Sequence, residues 1–273
     1  MGRLQRWIAA GVALSALGGC SMTGEVPSVV GSFYPLAFLA ERVAGRGWEV
    51  IDLTPPGAEA HDVELSLEDR VAIETADIVL YLGNVGFQPQ VEEAVAEARG
   101  RVVAVADVLA ADPAADPHVW LDPDHMARMA EVVASAIPGA SSVALEEDLV
   151  ELSDHYRSGL AGCESRVMVV SHEAFGYLAD AFGLEQFGLS GPSPEAEPTV
   201  ERLAMAEALL EREAGAVFFE VGGEPERIAR TVAQDAGVPA LPLSTLESQP
   251  PSGDYLSVME DNLASLRHGL GCR

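Results

Sequence analysis

From residue 27 onward, short apolar runs alternate with amphipathic stretches of helical period. Val29-Val30-Gly31-Ser32-Phe33 reads as a strand, and Pro35 opens a helix with Leu36, Leu39 and Val43 on one face and a stop at Gly45. Residues 48–53 form the next strand, broken by Pro55-Pro56-Gly57. Ser66 is placed to cap a following helix whose first turn holds Glu68 and Asp69, where the helix dipole favours acid. A strand at 78–82 is apolar enough to be buried on both faces. A helix at 87–98 and a strand at 101–105 complete this half. A loop at 107–116 and a helix at 123–137 follow. Leu145, Leu149, Leu152, Tyr156 and Leu160, three or four residues apart, mark one face of a long helix. The alternation then resumes, with strands expected at 166–171, 216–220 and 239–243. Helices are expected at 173–182, 199–213 (capped by Thr199), 224–236 and 255–270. A proline-punctuated loop, 188–198, separates two of them. The pattern predicts an α/β protein of two βα-repeating lobes with mostly parallel sheets, joined by one long rigid connecting helix. The expected divisions are an N-terminal lobe at 27–138, a connecting segment at 139–165 and a C-terminal lobe at 166–273.

The first residues follow a different pattern. Arg3 and Arg6 precede an apolar stretch at 7–17, too short to span a membrane stably, and Leu17-Gly18-Gly19-Cys20 follows. This reads as an export signal over 1–19 with a lipoprotein cleavage box, leaving a lipid on Cys20 and a tether at 20–26. The expected location is the cell membrane, lipid-anchored and facing outside the cytoplasm. Cys163 and Cys272 are then the remaining cysteines of an exported chain. A disulfide between them is expected, with two free thiols as the alternative.

Composition narrows the partners. Of 273 residues 43 are acidic and 16 basic, all sixteen arginine, for a formal net charge of −27. Nucleic acid, which needs a basic footprint, is excluded. The charge reads first as solubility and secondarily as a modest attraction for cations.

Three of the six histidines stand in separate, distinctive settings: Ala60-His61-Asp62, Asp116-Pro117-His118-Val119-Trp120 and Ser171-His172-Glu173. In open α/β sheets ligands bind beyond the carboxyl ends of strands. His61 and His118 follow first-lobe strands and His172 a second-lobe strand, so one metal ion between the lobes is expected. Imidazole suits zinc first. His125, His155 and His268 fall within predicted helices among polar residues and read as surface side chains. Asp122 or nearby carbonyls are candidates to orient a ligand histidine.

The segments around His61, Asp-Pro-His118-Val-Trp-Leu-Asp-Pro, Ser-His172-Glu-Ala-Phe-Gly-Tyr-Leu and Pro194-Glu-Ala-Glu-Pro198 resemble the metal-binding lipoproteins that feed zinc or manganese ABC importers. So does the closing stretch Tyr255-Leu-Ser-Val-Met-Glu-Asp-Asn-Leu. The likeness runs in order from about Val29 to Leu270. It implies a receptor that delivers its metal to a permease and its ATPase, with His61, His118 and His172 as ligands and a second-lobe carboxylate as the fourth. Many members carry an aspartate where this chain has Ser244. Glu247 matches a variant with glutamate slightly later, while Glu220 and water remain alternatives. Three imidazoles and one carboxylate fit zinc, with manganese less favoured because it prefers more oxygen. No catalysis is expected, and the receptor is expected to act as a monomer. Competing readings are a secreted zinc hydrolase, suggested by Glu173 beside His172 but lacking a His-Glu-x-x-His pattern, and an adhesin using metal structurally.

Overall fold

The computed structural model describes residues 26–61, 63–191, 196–221 and 223–273. The signal, the lipidation box at Cys20, Asp62 and most of the 192–198 loop's proline-rich core lie outside them. The first sheet is built from β1 (Ser28–Gly31), β2 (Glu49–Asp52), β3 (Ile78–Tyr81) and β4 (Arg101–Ala104), all parallel in the order β2-β1-β3-β4. The second repeats that order with β5 (Val167–Val170), β6 (Glu185–Gly188), β7 (Val217–Phe219) and β8 (Ala240–Pro242), as β6-β5-β7-β8. Parallel strands need helical crossovers, and these cover both faces of each sheet. The central strands β1, β3, β5 and β7 are accordingly the most buried.

The first lobe carries α1 (Tyr34–Ala44), α2 (Leu67–Thr75), α3 (Pro89–Ala94) and α4 (Pro123–Ala136). α1 follows β1 so tightly that a side chain on Gly31 would meet the Ala37 backbone at 2.5 Å. Ser66 and Asp69 form a reciprocal capping box on α2, each side chain bonding the other's backbone N–H. The helix expected at 87–98 is shorter than its pattern suggested: Pro89 opens α3, and a single 3₁₀ turn at Val95–Glu97 finishes the segment. The connector is α5 (Val143–Leu160), with Leu145, Leu149, Leu152, Tyr156 and Leu160 all buried along one face.

The second lobe carries α6 (Gly176–Phe182), α7 (Val200–Arg212), α8 (Gly223–Ala236) and α9 (Tyr255–Gly269). Thr199 caps α7 through the Arg202 N–H. Two expectations are corrected here. α6 starts three residues later than expected, because Glu173 N–H bonds the Gly191 carbonyl and Ala174 N–H the His172 carbonyl, which shapes a turn instead. β6 was not anticipated: Glu-Gln-Phe-Gly has no apolar run, since it is an edge strand paired only with β5.

Two smaller hydrophobic clusters lie one in each lobe, while the largest spans both. The largest contains Leu36 and Leu39 of α1, Trp120, Met126 and Met129, Leu149 and Tyr156 of α5, Met168 and Val170 of β5, and Tyr255, Met259 and Leu266 of α9. Phe38 and Tyr255 stack at 5.3 Å, and the Tyr255 hydroxyl donates to the Trp120 carbonyl at 2.6 Å. Cys163 and Cys272 are disulfide-bonded, tying the segment after α5 to the segment after α9. Among the described residues no helix is long and apolar enough to cross a membrane.

Candidate metal centre

His61, His118 and His172 meet where the carboxyl ends of the two sheets face each other, joined there by Glu247. His172 comes two residues after β5, inside a turn. His118 precedes a 3₁₀ turn at Val119–Leu121 that Asp122 converts into α4 by accepting the Asp124 N–H. His61 lies in the loop between β2 and α2, where the Ala60 carbonyl is held by buried Gln88, which also donates to the Ser32 carbonyl. Glu247 sits in the loop after β8. The preceding residue, Leu246, has φ of 58° and is the one non-glycine with positive φ among the described residues.

One ligand atom from each of the four residues lies within 4.8 Å of all the others. His61 Nε2 is 3.3 Å from His118 Nε2, and Glu247 Oε1 is 3.6 Å and 3.4 Å from those two nitrogens. Donors about 2.0–2.2 Å from one ion at tetrahedral corners stand about 3.3–3.6 Å apart. The three separations among His61, His118 and Glu247 fall in that range. His118, His172 and Glu247 are buried, while His61 retains 15% exposure and forms the rim. Glu247 Oε1, both ring nitrogens of His172 and Glu220 Oε1 are buried with no hydrogen-bond partner. Such atoms cost free energy unless something else satisfies them, and a cation among these donors would do so.

The electrostatics favour positive charge. Burial alone would lower the His118 value, but the carboxylates of Asp116 and Glu247 outweigh it and raise it to about 9. Burial alone would raise Glu247, yet His118 and His61 hold it well below the usual carboxylate range. An anion is thus kept in a dry site by whatever cation is present, a proton on imidazole or a metal.

Several sequence expectations change in the structure. Glu220 is not among the four: its Oε1 lies 2.7 Å behind His172, on Nδ1. Asp122 orients no member of the cluster and instead caps α4. Asp116, which the sequence reading passed over, sits 2.8 Å from His118 Nδ1. Only its place two residues before His118 could have signalled it. His125 is not a surface side chain, being 18% exposed with its ring against Tyr177 of α6 and its Nδ1 3.7 Å from Asp122. His155 and His268 are solvated, and His155 pairs with Glu260 of α9 at 2.6 Å. Ser244, at the position where an aspartate was considered, builds the loop: its hydroxyl accepts the Leu246 N–H, and Asn262 of α9 bonds its backbone on both sides. Glu173 pairs with Arg202.

Residues 29–269 match the family described as zinc-uptake complex component A, periplasmic. The zinc-binding protein AdcA of Streptococcus pyogenes serotype M1 is 28% identical over 284 residues, covering 88% of this chain and 55% of that protein. The chain thus spans about half the length of the curated relatives it matches. Among solved structures, the laminin-binding protein Lmb of Streptococcus agalactiae superposes with a TM-score of 0.79 at 28% identity, covering 89% of this chain and 99% of that one. The Zn(II)-bound ZnuA-like domain of Streptococcus pneumoniae AdcA does so with a TM-score of 0.76 at 28% identity, covering 89% and 98%. With the match extending over nearly all the described residues, and with two parallel sheets meeting at a histidine and carboxylate cluster, the chain belongs to the ZnuA family of periplasmic zinc-uptake components.

Proposed function

We propose that this chain is an extracytoplasmic receptor that captures Zn²⁺ between its lobes with His61, His118, His172 and Glu247 and delivers it to an ABC permease and its ATPase. The observation that carries this reading is that His172 and Glu247 hold buried, unpartnered donor atoms and belong to a cluster of four residues whose ligand atoms lie within 4.8 Å of one another. Zinc is favoured over manganese by three nitrogens to one carboxylate and by the spacing among His61, His118 and Glu247. The relatives described as zinc-binding support the same ion. Lobes at 27–138 and 166–273 around a connector at 139–165, lipid on Cys20 and action as a monomer belong to this proposal.

The chemistry favours binding over hydrolysis. A catalytic zinc keeps an open position and a positioned base. Here four protein donors close the set, and the nearby Glu173 is engaged by Arg202. Titration of metal-free protein with zinc and manganese tests the proposal. One equivalent of zinc should bind, more tightly than manganese. His172→Ala should weaken zinc binding by orders of magnitude, while His268→Ala leaves it at the parental value. Parental affinity in His61→Ala, His118→Ala and His172→Ala alike would overturn it.

A further inference from the structure

We infer that Asp116 and Glu220 are positioning residues for the cargo ion, one in each lobe, each placing a carboxylate at the Nδ1 of a candidate ligand imidazole so that Nε2 is turned inward. The inference rests on the zinc-receptor reading and deepens it. Neutral imidazole carries one proton, and the nitrogen without it binds metal. A carboxylate on the other nitrogen selects that tautomer, fixes the ring and raises the basicity of the ligating atom.

Asp116 grips His118 twice through one atom. Oδ1 lies 2.8 Å from Nδ1 and accepts the His118 backbone N–H at 3.0 Å, so ring and main chain are held together. Nε2 is left facing His61 and Glu247. In the second lobe the pairing follows from sheet register. β5 and β7 are parallel neighbours with Val170 opposite Phe218, and two residues beyond that pair, past the ends of both strands, stand His172 and Glu220. Glu220 Oε1 lies 2.7 Å from His172 Nδ1, an ion-pair contact whose atoms are not aligned as a hydrogen bond, and its Oε2 accepts from the Thr245 hydroxyl at 3.4 Å, in the loop that carries Glu247.

Gly176 adds an independent observation. It is the first residue of α6, and nothing in its backbone conformation demands glycine, since it is not among the positive-φ residues. A side chain there would come within 2.6 Å of Asp116 Oδ2. The glycine of the second lobe thus leaves the room that the first lobe's carboxylate occupies, so the two lobes must meet correctly for His118 to be held.

Asp116→Asn and Glu220→Gln keep shape and remove charge, and Gly176→Ala crowds Asp116 without touching any candidate donor. Zinc affinity is read by competition with a chromophoric chelator, and site geometry by the visible absorption of the cobalt(II)-loaded protein at saturation. Each of the three variants should bind zinc about ten- to a hundredfold more weakly and show a changed cobalt spectrum. Asp116→Asn and Glu220→Gln should also keep the metal-free unfolding midpoint of the parent. A parent that binds one zinc and loses it in His118→Ala, beside Asp116→Asn and Glu220→Gln variants of parental affinity and spectrum, overturns the positioning role and leaves the receptor reading intact. Weakened affinity with an unchanged cobalt spectrum also overturns it, because it assigns the carboxylates to folding alone. A parent that binds no zinc overturns both readings.

Discussion

Glu247 reaches the histidine cluster through a loop in which Leu246 adopts a left-handed backbone, which costs a leucine about 1–2 kcal/mol. Burial of the leucine side chain to 2% exposure and the Asn262 bonds on either side of Ser244 offset that cost. None of this shows in Leu-Ser-Thr-Leu-Glu, so Glu247 competed in the sequence with Glu220 and water. The three histidines were legible because each stands beside a strand exit or a dense turn sequence. Glu220 was not read as a neighbour of His172, since that contact joins two separate segments, whereas Asp116 stands only two residues before His118. Another acid offers a test at this scale. Burial, reinforced by Glu41 and opposed by the Thr54 N–H bond, raises Asp52 from 3.8 to about 6. Its charged form is therefore disfavoured by folding. The penalty is absent below the unfolded value, grows as pH rises toward 6, and is complete above it. Asp52→Asn keeps an acceptor for Thr54 and should stabilise the protein by on the order of 1–3 kcal/mol near pH 8, with no gain at about pH 3. Equal gains in denaturant unfolding at both pH values would refute this.

Among the elements, long periodic segments were the most readable. The five buried positions of α5 have the spacing its sequence displays; of the inward set expected for the last helix, α9 buries Tyr255, Met259, Leu263 and Leu266, Leu270 is buried just beyond it, and Val258 is only partly buried. Short elements failed where local bonding or an edge position outweighed periodicity, as at the start of α6 and at β6. The two long helices lie against each other, linked by the Tyr156 hydroxyl donating to the Met259 carbonyl at 2.7 Å and by His155–Glu260 on the wet side. The disulfide fastens the same pair and closes a loop with a sequence separation of 109 residues. Cys163→Ser or Cys272→Ser should lower unfolding free energy by about 2–4 kcal/mol. Parent protein under reducing conditions should lose the same amount. A reduced parent as stable as the oxidised one would contradict the prediction.

At the scale of the molecule, 43 acids face 16 arginines, so most carboxylates have no basic partner available. Mutual repulsion should outweigh the surface ion pairs, which contribute little individually. Raising salt from about 0.01 M to about 1 M shortens the Debye length from about 30 Å to about 3 Å. The unfolding temperature of metal-free protein should rise across that range, and a fall would mean that attractive pairs dominate. The core that runs from α1 through α5 to α9 has a further consequence, which concerns timing during synthesis. Residues from the late helix α9 complete packing begun by α1, and Asn262 on that helix braces the loop bearing Glu247. A chain emerging from its N-terminus, at a ribosome or through a translocation pore, therefore presents His61 and His118 long before they belong to a pocket. Under the proposed receptor function, the four donors come together only once α9 has packed, so loading belongs to the finished chain.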